Sequence, residues 1–311
     1  MRERLLPGAA AFVLTIAALL PAALTLPQHG DETQYGWSAA YFGARLARLD
    51  FSLGAGTLLD PGWNYSYWTL TQPMGARFVY AAALAIAGAD VPNLPADSVD
   101  SYNWERQMRL SSYAILSMRL AAILCAALGF AVICSRFRWR GVLACALFLA
   151  IPFVHTDLAR GWAEGPLLLG LGLCTAAYGT RWFAPLCGLA VTFKLTALPL
   201  FLAAFWHGYG RTRLAHLAGF LVSLGVWVLL TPPSWFGGGP LFLGMMVANR
   251  ITEYSVQALR PENADDIFLP TRYLLPFVLL ALLLAVHTPQ LWRRFRRPQS
   301  SPAGENPGSV S

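Results

Sequence analysis

Apolar residues gather in runs separated by polar links. Four runs are clear, at 5–26, 110–134, 214–230 and 273–286, and four are shorter or interrupted, at 77–89, 141–154, 166–178 and 183–206. A helix that crosses a bilayer takes about 20 predominantly apolar residues, fewer when it is packed among others. The pattern therefore predicts an all-α polytopic membrane protein. The run at 5–26 follows Met1-Arg2-Glu3-Arg4, is long for a secretory h-region and lacks a good small-x-small cleavage site, so it is expected to stay as an anchor.

The arginines set the parity of the crossings. Arg2/Arg4, Arg136/Arg138/Arg140, Arg181, Arg211/Arg213 and Arg293/Arg294/Arg296/Arg297 stand in short links or near the ends. The positive-inside rule puts all five groups on the cytoplasmic face. Two consequences follow. The run at 77–89 must not cross fully, or the 136–140 arginines would face outward. The run at 183–206 must break near Lys194, or Arg181 and Arg211 would lie on opposite sides. About eight segments result, at 5–26, 109–134, 141–154, 165–180, 183–193, 195–207, 214–231 and 271–289, with both termini cytoplasmic. Outside lie a long first loop (27–108), a short one (155–164), the turn at Lys194 and a loop at 232–270, which together hold fourteen of the 16 acidic residues. The Ser/Pro/Gly-rich tail at 298–311 is expected to be disordered.

Composition narrows the function classes. The 311-residue chain is 56% hydrophobic and 13% charged, against about 25% charge in soluble domains. A water-soluble enzyme, a disordered protein and a nucleic-acid binder are excluded. The net charge of +7 is an orientation signal, since the 23 basic residues are arginines except for Lys194. All five cysteines stand in apolar runs, so no disulfide framework is readable.

Several polar clusters could carry chemistry. Asp31-Glu32 directly follows the first span; such a pair can cap the next helix, share a proton, approach a cation or deprotonate a substrate hydroxyl. It opens an amphipathic stretch (Trp37, Ala40, Tyr41, Ala44, Leu46) suited to lying along the interface. Trp68 to Arg77, with Gln72 and Pro73, reads as a polar-aromatic interfacial anchor leading into the short apolar helix. His155 to Glu164 places His155, Asp157, Arg160 and Glu164 in one short outer loop, where ionisable groups are costly unless they line a wet cavity. Arg160 and Glu164, four apart, would share a helix face, as a pair or as two separate site groups. His155 and Asp157 are also candidate metal ligands, as is Asp31. Lys194 and Arg119 are cations inside apolar runs; each either snorkels outward or binds an anion such as a phosphate.

The ordered set of motifs supports a resemblance. A first span followed by Asp31-Glu32-x-x-Tyr35, then Gln72-Pro73-x-Gly75 with a short helix ending at Gly88, then a span bearing Arg119, then Pro152…Arg160-x-x-x-Glu164 and Thr192-Phe193-Lys194 resembles the GT-C superfamily of membrane glycosyltransferases. The bacterial branch is meant, with the protein O-mannosyltransferases and the lipid A aminoarabinose transferase. The likeness covers residues 1–230, with 231–297 adding an outer loop and a last span. It implies a GT-C-like bundle in a bacterial inner membrane, with interfacial helices in the first outer loop. It implies inverting transfer of a sugar from a polyprenyl-phosphate donor to an extracytoplasmic acceptor, which is a glycan, a lipid or a protein. By position, Asp31 or Glu32 looks like the general base, and Glu164, with Asp157 nearby, like a second acidic position. Arg160 and Lys194 look suited to the lipid phosphate, with Tyr35, Gln72, Arg119 and His155 as further substrate-side candidates. A divalent ion, Mg or Mn, is compatible with the family. A transporter or flippase for a lipid-linked or anionic substrate, or an inactive GT-C-like scaffold, are the competing expectations.

Overall fold

A computed structural model describes residues 2–49, 74–91, 109–207, 209 and 212–231, with 244, 247 and 248. The described elements are helical throughout: α1 (Arg2–Thr25), α2 (Gly30–Ala47), α3 (Gly75–Ala87), α4 (Ser112–Leu149), α5 (Pro152–Ala159), α6 (Glu164–Ala177), α7 (Phe183–Phe193), a 3-10 turn (Leu195–Ala197), α8 (Leu200–His207) and α9 (Arg213–Leu229). Two helical stretches, Leu5–Thr25 and Ser112–Leu149, are long and apolar enough to cross a membrane. Helix starts follow local chemistry. Ser111 Oγ accepts the Ala114 amide at 3.1 Å to open α4, and Thr212 Oγ1 accepts the Ala215 amide at 3.2 Å to open α9. Gly88 closes α3 at φ 61, the left-handed backbone that glycine adopts without a Cβ clash.

The helix α4 is two helices in one. Arg138, at φ 60 and ψ −146, breaks it, and a Cβ at Gly141 would lie 3.1 Å from the Cβ of Phe137 and from the Cα of Cys134. The chain therefore doubles back within the arginine cluster. Close approaches set the remaining order. Gly8 of α1 lies against Ser135, while Arg119 reaches the carbonyl oxygens of Ala23 and Leu26 at the other end of α1, so α1 and the first half of α4 run antiparallel. Gly165 meets Ala122 and Gly172 meets Gly129, so α6 runs parallel to that half of α4. Gly170 meets Ala190 across α6 and α7. The chain breaks at Lys194, which is extended at φ −156 and ψ 134, and α8 returns until the His207 ring lies 5.5 Å from that of Tyr178. Arg138 and the turn before α7 thus stand at one end of the bundle, with Glu32 and Glu164 at the other.

Three expectations need correction. The segment 155–164 is not one loop: Pro152 opens α5, which takes in His155, Thr156 and Asp157, and only 160–163 links it to α6. Arg160 and Glu164 do not share a helix face, because Arg160 is extended at φ −88 and ψ 159 and Glu164 begins a new helix. The first half of α2 does not lie with its polar side in water. Glu32, Thr33, Gln34 and Ser38 are buried together with Trp37 and Ala39, while Ala44 and Leu46 are exposed. Trp68, Gln72, Pro73, the loop at 232–270 save for 244, 247 and 248, the segment at 271–289, Arg211, the arginines at 293–297 and the tail at 298–311 lie outside the described residues.

Candidate functional site

The acidic end of the bundle is organised by one buried carboxylate. Glu32 is fully buried. Its Oε1 accepts Arg119 Nε at 2.7 Å and the Gly161 amide at 3.0 Å; its Oε2 accepts Arg119 Nη2 at 2.8 Å and the His29 amide at 2.9 Å. The Arg119 guanidinium is equally occupied. Nη1 donates to the Ala23 and Leu26 carbonyls, each at 2.8 Å, and Nη2 also donates to the Pro27 carbonyl at 2.9 Å. A guanidinium has five N–H donors, and all five are used here. Burial is the largest influence on the Glu32 carboxyl and acts to raise its pKa; the Arg119 hydrogen bonds and charge, with the Gly161 and His29 amides, outweigh it and hold the pKa below the usual 4.5.

Asp31, one residue earlier, has the opposite surroundings. Its side chain is 49% exposed, with Oδ2 3.8 Å from His29 Nδ1. Successive helix residues point about 100° apart, so one of two adjacent acids on α2 turns inward and the other outward. His29 is the residue that sequence reasoning missed. Its carbonyl accepts the Glu32 and Thr33 amides at 3.1 and 3.3 Å, and its Nδ1 accepts the Asp31 amide at 3.1 Å. Together with the Glu32 carboxylate on the His29 amide this is a reciprocal capping box. The x-x-Glu spacing after His29 was its only signal, and histidine is not among the usual capping residues.

From His29 a line of contacts leads inward. Its ring meets that of Trp162 edge-on at 5.2 Å, and Arg160 Cζ lies 5.2 Å from the Trp162 ring on its other contact. Arg160 Nε and Nη1 are buried with no hydrogen-bond partner among the described residues. Tyr80, fully buried on α3, donates its hydroxyl to the Trp162 carbonyl. Burial, then Tyr35 and the nearby acids, push the Tyr80 phenol well above its usual pKa, so it remains a donor. Tyr35 packs edge-on against Tyr80 at 6.0 Å. Arg77 is buried beside Met74 and 5.6 Å from the Phe42 ring, and burial lowers its pKa to about 10.

The other expected site groups divide in two. Glu164 and Lys194, 30 residues apart, form an ion pair in which both side chains are largely covered. Its position joins the start of α6 to the break after α7. His155 is turned away toward α1, with Nε2 2.8 Å from the Ala18 carbonyl. Asp157 is buried on α5; two residues apart on a helix, it and His155 do not face each other. Among the described residues no three His, Cys, Asp or Glu side chains converge as a metal site would need. Compared with known protein families, with curated proteins and with solved structures, the chain matches none.

Proposed function

We propose that the chain is a multi-span membrane glycosyltransferase of GT-C type, inverting at the anomeric carbon, with a polyprenyl-phosphate sugar as donor and an extracytoplasmic hydroxyl compound as acceptor. The observation that carries the reading is the contrast between neighbouring carboxylates: Glu32 saturated and buried, Asp31 half exposed and linked through His29 and Trp162 to Arg160. A half-exposed carboxylate on a fixed helix start can serve as a base while its buried, saturated neighbour serves the scaffold. On this reading Asp31 takes the proton of the acceptor hydroxyl. The hydroxyl oxygen attacks the anomeric carbon, the bond from that carbon to the phosphate oxygen breaks, and the electron pair leaves with the lipid phosphate. Arg160 supplies the charge that stabilises it. Glu32 and Arg119 hold Asp31 in place and do not touch substrate.

The ion pair of Lys194 with Glu164 supports a smaller role for Lys194 than for Arg160 on the phosphate, since its charge is already balanced. The arginine-bearing turns at one end and the acids at the other suit an inner-membrane bundle of about eight segments with the site facing outward. The test is mass spectrometry of the purified protein with a panel of polyprenyl-phosphate sugars and octyl glycosides, with and without Mg or Mn. Transfer by the wild type, its loss in Asp31→Asn, and donor binding retained by that variant are the expected results. Donor lipid moved across vesicles without sugar transfer would instead mark a flippase.

A further inference from the structure

His29 holds more capability than a helix cap requires. Asn, Asp, Ser or Thr caps a helix at least as well, and each is smaller. The Asp31 amide can only donate, so His29 Nδ1 accepts and the proton of the neutral ring stands on Nε2. The side chain is engaged at Nδ1 and in a T-shaped contact with the Trp162 ring, and 46% of it is exposed. Among the described residues nothing takes the Nε2 proton. The ring therefore carries an N–H donor that no described residue accepts, on a side chain about as exposed as that of Asp31, whose Oδ2 lies 3.8 Å from the same ring. Its orientation is held at two points, by the capping box below and by Trp162 at the side. Trp162 is itself pinned through its carbonyl by Tyr80.

We propose that His29 is an acceptor-binding residue: its Nε2–H donates to an oxygen of the hydroxyl-bearing acceptor and turns the reacting hydroxyl toward Asp31. The inference rests on the glycosyl-transfer reading and adds the acceptor side to it. A polyol is the class of ligand that a paired donor and carboxylate suits, since one hydroxyl is held while its neighbour is deprotonated. The bland alternative is that His29 only caps α2.

Asparagine separates the two. Its Oδ1 can accept the Asp31 amide as Nδ1 does, while nothing replaces the Nε2–H. In the octyl glycoside assay, His29→Asn is expected to raise the acceptor KM about 3- to 10-fold, the worth of one neutral hydrogen bond. The donor KM and the melting temperature should stay at the wild-type values. His29→Gln, whose amide nitrogen reaches toward the Nε2 position, should recover part of the acceptor KM. His29→Ala should lose acceptor affinity and melting temperature together. An unchanged acceptor KM in His29→Asn, in a wild type that transfers sugar, overturns this proposal and leaves the transfer reading standing. A raised KM accompanied by a lowered melting temperature in the same variant also overturns it, in favour of a cap alone. A wild type that transfers to no member of the panel overturns both.

Discussion

Glu32 and Arg119, 87 residues apart, meet in a two-point contact of 2.7 and 2.8 Å with side chains 0% and 4% exposed. The pair ties the last turn of α1, the first turn of α2, the first half of α4 and the link before α6 to one point. Removing one partner leaves the other charge buried and unbalanced.

Arg119→Met should therefore cost about 3–5 kcal/mol, the usual penalty for stranding a buried charge. Thermal unfolding in detergent checks it. Arg119→Lys should fall between, because an ammonium has three donors where five are used. A variant as stable as the wild type would show that the clamp does not hold the four segments together.

The same carboxylate makes stability depend on pH. Its folded pKa lies below the unfolded value near 4.5. A depressed acid stabilises the fold fully above its unfolded pKa and loses that contribution as the pH falls through the folded value. Melting temperature should thus be flat above about pH 6 and drop below pH 4.5. Glu32→Gln should flatten the drop while lowering the plateau.

Packing between α4 and α6 leaves no room for a methyl group. A Cβ at Gly165 would lie 2.3 Å from the Ala122 carbonyl oxygen, and one at Gly129 would lie 2.3 Å from that of Leu168. Alanine at either position should cost about 1–3 kcal/mol by forcing the helices apart. A Cβ added at Gly225 in α9 would meet nothing within 4 Å among the described residues beyond its own helix, so Gly225→Ala should raise stability by up to about 1 kcal/mol. Melting curves of the three variants decide.

Arg160 carries the opposite expectation for folding. Two of its nitrogens are buried without partners among the described residues, so Arg160→Leu should leave the melting temperature unchanged or higher. The donor KM should rise about tenfold or more, as for loss of a charge-assisted hydrogen bond. A fall in stability with normal donor KM would assign Arg160 to the scaffold.

Orientation is checked by labelling. Asp90 and Arg136 are both exposed, and the native cysteines are buried. Single cysteines introduced there should react with an impermeant thiol reagent from opposite sides, position 90 from outside and position 136 from the cytoplasm. Labelling of both from one side would sink the arginine-based topology.

Much of the fold was legible along the chain because helix boundaries are local. Apolar runs located α1, α4, α6, α7 and α9 within a few residues, and charge parity placed the break at Lys194, which the extended backbone there bears out. The helix hidden in 155–164 was missed because its polar residues look like a loop; Pro152 at its first turn was the available signal. The site was legible only as a set of residue types. Asp31 and Glu32 differ by one position and one methylene, and no local rule says which turns inward. Arg119 decides it, from a helix brought alongside by packing against α1. In the same way Lys194 and Glu164, each readable alone as a ligand for substrate, neutralise each other once α6 and α7 close together. Local propensity and hydrophobic patterning act within a few turns and so can be read from sequence. Which charges are matched in the interior, and which are left at the surface, depends on distances that exist only after the chain has folded.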